Sequence, residues 1–175
     1  MGILPSEIII ESELLILKRT DEEDIDFVLN QESSTENNRF ITQWTKYQHF
    51  AAIGDPDKEH IIIQSKMNER IVGFIILAGL ENYNNSIELL RIVISDKGHG
   101  FGHECVRLIK EICFKKYMAH RLWLDVKEHN HRAKHVYLKC GFTIEGTIRE
   151  CIRTDNKYES LIIMSILETE YQDLE

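Results

Sequence analysis

The sequence predicts a mixed α/β domain with a central sheet. Three β-rich runs follow one another between residues 60 and 95, and a glycine loop then leads into an amphipathic helical stretch from 101 to 117. Further helical and β-rich segments follow toward the end of the chain. Because 175 residues can bury one core of ordinary size, a single domain spanning 1–175 is expected.

Seven strands are predicted from runs of β-branched and aromatic residues bounded by turn residues. They cover residues 14–17, 60–65, 70–80, 86–95, 121–126, 143–149 and 158–167. Polar turns at 82–85 and 155–156 separate neighbouring strands. The runs from 60 to 95 therefore form a predicted three-stranded meander.

Two helices are predicted before the meander. The first follows a capping box at 20–23, and its apolar residues begin at Ile25. The second has loose boundaries, and it is predicted from aromatic residues spaced as on one helical face, namely Phe40, Trp44, Tyr47 and Phe50. Aromatic residues at this spacing are more often packing residues than the lining of a pocket.

Two more helices lie in the second half of the chain. Between residues 101 and 117, apolar residues recur at helical spacing, namely Cys105, Leu108, Ile109 and Ile112. Asn130 is typical of a helix N-cap, and Gly141 ends the short helix that follows, where a left-handed residue is favoured. The four cysteines include no CxxC pair and are expected to be reduced packing residues.

The formal net charge of −8 is spread without a run of Lys and Arg, which excludes the basic surface of a nucleic-acid-binding protein. A cationic partner suits this charge, and a solvated acidic surface is the simpler interpretation. Residues 1–5 contain no basic region followed by an apolar stretch, and no apolar run has the length of a membrane span. A cytoplasmic protein without a membrane partner is expected.

The segment 97–102, Lys-Gly-His-Gly-Phe-Gly, lies between a predicted buried strand and an amphipathic helix. Main-chain N–H groups at such a helix start attract phosphate, and glycines let the anion come close. A P-loop would end in Gly-Lys-Ser/Thr and a dinucleotide loop would read GxGxxG, and neither matches. A flexible turn is the alternative interpretation when the loop is considered alone.

Two motifs together resemble one family. The loop at 97–102 resembles the Arg/Gln-x-x-Gly-x-Gly/Ala pattern of the GCN5-related N-acetyltransferases, with Lys97 in the first position. Residues 130–142 resemble their Asn-x-x-Ala-x-x-x-Tyr-x-x-x-Gly-Phe segment. The motifs occur in the family's order, one helix and one strand apart. Residues 145–150 and 157–164 resemble the branch with ribosomal-protein N-terminal and spermidine acetyltransferases.

The resemblance implies the family fold, a mostly antiparallel mixed sheet of about six to seven strands with flanking helices. Its fourth and fifth strands splay apart, and the pantetheine arm of the co-substrate acetyl-CoA lies in the opening. The implied cofactor-binding residues are Ile92, Val93, Ile94, Lys97, Gly98, His99, Gly100, Phe101, Gly102, Asn130, Ala133 and Tyr137. A main-chain N–H of the fourth strand would bond the thioester oxygen.

Acetyl transfer to an amine requires one group that removes a proton and one that returns a proton to the thiolate. Tyr137 matches the family's acid, although its place on an apolar helical stripe also suits a core aromatic. For the base, Glu88 is the first candidate because it shares a strand face with Leu90, Ile92 and Ile94, where burial would raise its pKa. Asp125 matches the place where some relatives carry a catalytic acidic residue, and the choice stays open.

The predicted function is direct acetyl transfer from acetyl-CoA to a primary amine, either a polyamine-like small molecule or a peptide N-terminus. A CoA-binding sensor or interaction module without turnover is the alternative. No metal is expected, because the pair His129 and His131 lacks a third ligand nearby. His99 and His103 are given no chemical role. The acceptor and the oligomeric state are open, with a homodimer as one option.

Overall fold

A computed structural model describes residues 7–172, so residues 1–5, considered above, lie outside the described range. The strands of the described part are β1 (Ile8–Glu11), β2 (Leu15–Arg19), β3 (Lys58–Ser65), β4 (Ile71–Ala78), β5 (Ser86–Ile94), β6 (Arg121–Lys127), β7 (Thr143–Thr154) and β8 (Lys157–Leu167). The α-helices are α1 (Ile25–Ser33), α2 (Lys46–Ile53), α3 (Phe101–Glu111), α4 (His131–Lys139) and α5 (Glu168–Gln172). A π-turn at Ile112–Lys116 extends α3.

The described strands form one eight-stranded sheet in the order β1-β2-β3-β4-β5-β6-β8-β7. All neighbouring strands are antiparallel except β5 and β6, which are parallel. The β5–β6 ladder contains only three pairs, from Ser86 opposite Arg121 to Glu88 opposite Trp123. Beyond Glu88 the two strands continue without pairing to each other, which confirms the predicted opening.

A β-bulge at Leu90 decides which residues of β5 share a face. Ile76 of β4 pairs with Arg91 and Leu77 pairs with Leu89, so Leu90 has no partner in the ladder. Leu89 belongs to the larger core beside α3, whereas Leu90 packs on the smaller core beside α1. The bulge therefore shifts the alternation of faces along the rest of the strand.

The prediction that Glu88 shares a face with Ile92 and Ile94 is consequently wrong. Both isoleucines pack against the larger core, on the opposite face from Leu90. Glu88 lies on the face of the smaller core, together with Arg91 and Val93. The alternation of two residues per repeat that supported the prediction fails wherever an extra residue enters a strand.

Glycine is required where β4 lies against β5. A Cβ atom on Gly73 would lie 2.2 Å from the carbonyl oxygen of Val93. No side chain fits at that distance, so Gly73 permits the close approach of the two strands. This approach holds the unpaired half of β5 firmly against β4 at the edge of the opening.

The structure corrects several other predictions. The sheet has an eighth strand, β1, because the short run at Ile8–Glu11 finds a partner in β2. The edge strand β7 ends at Thr154 and not at 149, since its hairpin partner β8 stabilises the added residues. Cys151 on β7 is exposed and is not a packing residue, whereas Cys105, Cys113 and Cys140 are buried.

The first two helices also differ from their predictions. The capping box begins at Asp21, whose N–H donates to Asp24 Oδ2 at 2.9 Å, while Thr20 turns its hydroxyl group to His60. Phe40 and Trp44 precede α2 and therefore cannot share a helical face with Tyr47. A tertiary contact for Trp44, described below, outweighs the local spacing. The helix α4 agrees with its prediction, because Asn130 Oδ1 accepts the Ala133 N–H at 3.2 Å.

Candidate functional site

The glycine loop presents an open surface at the start of α3. Gly98 and Gly100 have φ angles of +95° and +78°, which side-chain-bearing residues rarely adopt. A Cβ atom on Gly98, Gly100 or Gly102 would meet nothing within 4 Å. Gly100 is the N-cap of α3, and the first N–H groups of a helix have no partner inside the helix. The loop therefore offers donors and free space to an anion.

The side chains beside the glycine loop have partners of their own. Lys97 Nζ lies 2.5 Å from Oε2 of Glu36, in an ion pair that is partly exposed. His99 Nε2 lies 3.2 Å from Asp96 Oδ1, and His103 Nδ1 lies 3.4 Å from the sulfur of Cys140. Phe101 is buried in the larger core, so only its main chain faces the loop. The loop can contact an anion mainly through its backbone.

The opening between β5 and β6 adjoins this loop. On one side, β5 pairs with β4 through Ile92, Val93 and Ile94. On the other side, these three residues have no partner in β6. Val93 is buried in the smaller core, and the two isoleucines pack against the larger core. Their side chains therefore fix the strand, and their main-chain groups border the opening.

Tyr137 lies on α4 at the larger core. Its side chain is 7% exposed, and its ring centroid lies 5.7 Å from that of Phe142. Burial raises the pKa of Tyr137, and the thiol of Cys140 and the carboxylate of Asp125 act in the same direction. A raised pKa keeps the phenol protonated at neutral pH, which is the state that can donate a proton.

Two carboxylates lie on one face of the sheet where β5 and β6 separate. Glu88 is half-buried, and Asp125 is exposed on β6 two residues after Trp123, the partner of Glu88. Burial raises the pKa of Glu88, and the charge of Asp125 raises it further. Partial desolvation of the Asp125 carboxylate also raises its pKa, although the residue as a whole is exposed. Neither forms an ion pair with another described residue.

The electrostatic effect of Asp125 on two other residues indicates that the three predicted catalytic groups lie near one another. Asp125 raises the pKa of both Glu88 and Tyr137 by its charge, which requires that it lie near each of them. Tyr137 approaches from the larger core, and Glu88 from the opposite face of the sheet. Tyr137 and Glu88 thus lie on opposite faces of the sheet, each close enough to Asp125 for its charge to raise the pKa.

A polar cavity of about 350 Å³ lies away from these residues. Arg19, Glu59 and Tyr117 line it, together with the turn that follows α2. Its charged side chains bind one another. Arg19 Nε lies 2.9 Å from Glu59 Oε1, and the Tyr117 hydroxyl group donates to the same carboxylate. None of the predicted site residues borders this cavity. The opening between β5 and β6 together with the adjoining glycine loop, hereafter the groove, is the better candidate for the active site.

Comparison with known proteins decides the family. The model of the acetyltransferase (GNAT) family matches residues 24–142, which is more than half of the chain. The chain belongs to the GNAT family of acetyltransferases. The matched region includes the glycine loop, the opening between the strands and the segment that contains Tyr137.

Individual relatives agree with this assignment. The acetyltransferase is 23% identical to the spermidine N(1)-acetyltransferase of Vibrio cholerae over 167 residues, covering 90% of this chain and 95% of the relative. It is 29% identical over 143 residues to a Bacillus subtilis protein named as a candidate ribosomal protein bS18 alanine N-acetyltransferase, with 81% and 88% covered. A crystal structure of spermidine N-acetyltransferase from Vibrio cholerae with CoA and spermine has a TM-score of 0.83 at 20% identity, with 92% and 99% covered.

The predicted class is therefore confirmed: the protein is an N-acetyltransferase with the GNAT fold, and acetyl-CoA is its co-substrate. The fit of the acetyltransferase to this co-substrate is visible in the chain itself. The three glycines leave the space that a pyrophosphate needs, and the unpaired side of β5 offers main-chain groups to an extended amide-containing arm.

Two buried charged groups on the face of the sheet that carries Glu88 were not predicted from the sequence. Glu32 of α1 is 1% exposed and is bonded to Arg91 and to the main chain of Trp44. Lys127 of β6 donates to the Arg39 carbonyl at 2.9 Å and to Glu159 at 2.7 Å. Their signal is weak: Glu32 follows Ile25 and Val28 on the buried stripe of α1, where a carboxylate is unusual.

The described residues contain no group of three or more His, Cys, Asp or Glu side chains that could hold a metal ion. Between residues 7 and 172, no helix combines the length and the apolar character needed to cross a membrane.

Proposed function

We propose that this acetyltransferase acetylates a primary amine of a small molecule that carries further amino groups, as polyamines do. The observation that supports the proposal is the pair of unpaired carboxylates, Glu88 and Asp125, on one face of the groove. One carboxylate can accept the proton of the reacting ammonium, and the other can bind a second ammonium. The net charge of −8 favours the approach of a polycation.

Acetyl-CoA supplies a thioester, which is an activated acyl group. In the proposed arrangement the main chain of Gly98, Gly100 and Gly102 binds the pyrophosphate, with Lys97 beside it. The unpaired side of β5 at Ile92–Ile94 binds the pantetheine arm through main-chain groups. Asn130 and Ala133 act by capping and packing α4, which fixes the position of Tyr137.

Glu88 is the proposed general base. An amine attacks only when it is unprotonated, so Glu88 first removes the proton from the ammonium, and the free amine then forms the N–C bond with the thioester carbon. Its raised pKa makes this carboxylate a stronger base than an ordinary glutamate. As the C–S bond breaks, Tyr137 donates its proton to the leaving sulfur, and proton exchange with water restores both groups. Asp125 binds the distant ammonium and strengthens Glu88 as a base through its charge.

The relatives support a polyamine acceptor. The Vibrio cholerae spermidine N(1)-acetyltransferase and this chain align over nearly the full length of both proteins. A peptide N-terminus is a second candidate acceptor, favoured by the identity of 29% with the Bacillus subtilis protein. A peptide would need only one carboxylate beside its ammonium, whereas a polyamine uses both Glu88 and Asp125.

Acetyl-CoA turnover against a matched panel of amines tests the proposal, with free thiol as the readout. The panel contains a monoamine, diamines of increasing length, spermidine, spermine and an Ala-initiated peptide. We expect kcat/KM to rise with the second amino group, and Asp125→Asn to remove this preference. Selective turnover of the peptide would establish the second candidate. Acetyl-CoA binding without thiol release for any amine would establish a binding module and reject the enzyme.

The homodimer also stays a prediction. The described edge strand β7 leaves Ile144 and Ile148 each about half exposed, at 47% and 48%. A second copy could cover these side chains. Light scattering coupled to size-exclusion chromatography measures the mass directly, and Ile148→Lys should return a dimer to the monomer mass if β7 is the interface.

A further inference from the structure

A buried polar network lies below the loop that joins α1 to α2. The Glu32 carboxylate is at its centre, with the side chain 1% exposed. Around it are Arg91, which follows the bulge of β5, and His49 of α2. Beyond His49 the network continues to His60 of β3 and to Thr20. Three elements, α1, α2 and β5, thus meet at one carboxylate.

Glu32 holds Trp44 in two ways. Its Oε2 accepts the main-chain N–H of Trp44 at 2.8 Å, and its Oε1 accepts a hydrogen bond from Arg91. The Arg91 guanidinium lies over the Trp44 ring, 4.7 Å from the centroid. Glu32 therefore fixes the backbone of Trp44 directly and its ring through Arg91.

His49 makes the third contact of Glu32, and His60 holds the His49 ring in place. Burial lowers the pKa of His60 to about 3, and the neighbouring His49 acts in the same direction, so His60 is neutral. A neutral ring donates at one nitrogen and accepts at the other. His60 bonds Thr20 at 2.8 Å and His49 at 3.1 Å, which fixes the His49 ring with Nε2 3.3 Å from Glu32 Oε2. That last contact has ion-pair distance without hydrogen-bond geometry.

The hydrogen bonds also determine the charge of Glu32. Burial by itself raises the pKa of this carboxyl group. The contacts from His49 and Trp44 and the charge of Arg91 outweigh burial, so the pKa is lowered and Glu32 is ionised. A buried ion pair is weak support for stability, because desolvation offsets the attraction between the charges. Fixing the position of Trp44 is a more specific consequence of the same contacts.

We propose that Glu32 is a positioning residue that determines amine affinity by holding Trp44 as a rigid wall of the acceptor pocket. This inference rests on the proposed function, since it assumes that the amine binds on the face of β5 that carries Glu88. Arg91 lies on that face, and Trp44 covers it. Glu32 itself is too deeply buried to contact a substrate.

The first test is Glu32→Gln, which keeps an oxygen for the Trp44 N–H and loses the charge that holds Arg91. We expect KM for the best amine of the panel to rise about tenfold, because the wall of the pocket becomes loose. The kcat at saturating amine and KM for acetyl-CoA should stay within about twofold. Equal losses in kcat and in both KM values would show a general structural role and overturn the proposal.

The matched control is Asp26→Asn. Asp26 is on the same helix, and its ion pair with Lys46 at 3.0 Å also joins α1 to α2, but both side chains are exposed. We expect this variant to leave both KM values unchanged. If Asp26→Asn raised the amine KM as much as Glu32→Gln does, the effect would belong to the contact between the helices and not to Glu32.

A double-mutant cycle tests whether Glu32 acts through Trp44. We expect Trp44→Ala alone to raise the amine KM about tenfold, and Glu32→Gln to add nothing to it. Additive effects would overturn the proposal. If Glu32→Gln does not fold, the amine KM is measured in Arg91→Lys and in Trp44→Ala instead. An unchanged amine KM in either variant would show that Trp44 does not form a wall of the acceptor pocket.

Fluorescence separates this inference from the proposed function. The chain has two tryptophans, so Trp123→Phe leaves Trp44 as the single reporter. In that background we expect Glu32→Gln to increase acrylamide quenching of Trp44, whether or not any amine is turned over. A panel without turnover rejects the proposed function, whereas unchanged quenching rejects the positioning role of Glu32.

Discussion

Glu88 of β5 lies opposite Trp123 of β6 in the last pair before the two strands separate. The carboxylate is therefore at the point of the opening, where an amine from one face of the sheet would meet an acyl donor between the strands. The bulge at Leu90 places Arg91 and Val93 on the face of Glu88 and leaves Ile92 and Ile94 on the other. In the proposed arrangement the amine therefore binds on the face of β5 that carries Glu88, and acetyl-CoA binds along the unpaired side of the same strand.

The first prediction concerns the base. Glu88→Gln should lower kcat by a factor on the order of 10², because the amide cannot accept the proton of the ammonium. Thiol release at saturating acetyl-CoA and amine measures the change. The control is Glu128→Gln, an exposed carboxylate just beyond Asp125, which should retain full activity. A Glu88→Gln enzyme with unchanged kcat would transfer the role of base to Asp125 or to bound water.

The second prediction is a pH shift in Asp125→Asn. Burial is the larger cause of the raised pKa of Glu88, and the negative charge of Asp125 is the second. Removing that charge lowers the pKa of Glu88, and the base works when deprotonated. The acidic limb of the kcat/KM profile should therefore move to lower pH, while Glu128→Gln leaves it in place. A shift to higher pH would contradict the coupling.

The third prediction is that Tyr137→Phe lowers kcat by a factor on the order of 10² and leaves acetyl-CoA binding unchanged. The ring keeps its contact with Phe142, so packing on α4 is retained while the acidic proton is lost. Thiol-release kinetics give kcat, and calorimetry gives the affinity for acetyl-CoA. Retained turnover would leave Tyr137 only as a packing residue.

The sequence predicts best where local chemistry decides the structure. The cap of α4 at Asn130 and the left-handed Gly141, with φ of +90°, depend on neighbouring residues alone, and both were predicted. The glycine loop belongs to the same class, because positive φ angles at Gly98 and Gly100 need no distant partner.

The sequence predicts poorly where distant residues decide. The Leu90 bulge results from the register between β4 and β5, so alternation along one strand could not reveal it. Trp44 is held by Glu32, twelve positions earlier, and this contact outweighs the helical spacing of the aromatic residues. The position of Trp44 was therefore the part least accessible to prediction.

The fourth prediction compares two glycines of the phosphate loop. Gly100→Ala forces a side chain into a left-handed conformation, at a cost of about 1 kcal/mol, so Tm should fall. Gly102 lies in the first turn of α3 with open space around it, and Ala there favours the helix, so Tm should rise. Both methyl groups enter the proposed phosphate site, and both variants should raise KM for acetyl-CoA. Thermal melts and kinetics together check the contrast; equal KM values in wild type and both variants would exclude a phosphate contact at this loop.

The last prediction concerns the ion pair between Lys97 and Glu36. Lys97 hydrogen-bonds Glu36 and thereby lowers the pKa of that carboxyl group, so the pair is charged at neutral pH. A pyrophosphate on the glycine loop would compete with Glu36 for the same ammonium group. Glu36→Gln should therefore lower KM for acetyl-CoA by about two- to threefold at low salt, and the gain should shrink as salt screens the charges.

Two controls test whether Glu36 affects acetyl-CoA binding through Lys97. Lys97→Met should raise KM for acetyl-CoA, and adding Glu36→Gln to it should change nothing further, because the competitor acts only through Lys97. Asp55→Asn breaks a partly exposed pair of the same kind, Lys58–Asp55 at 2.5 Å, at the end of the sheet away from the glycine loop, and should leave KM unchanged. If Glu36→Gln still lowered KM in the Lys97→Met background, the loss of negative charge near the loop would be the cause, and competition between Glu36 and phosphate for Lys97 would be excluded.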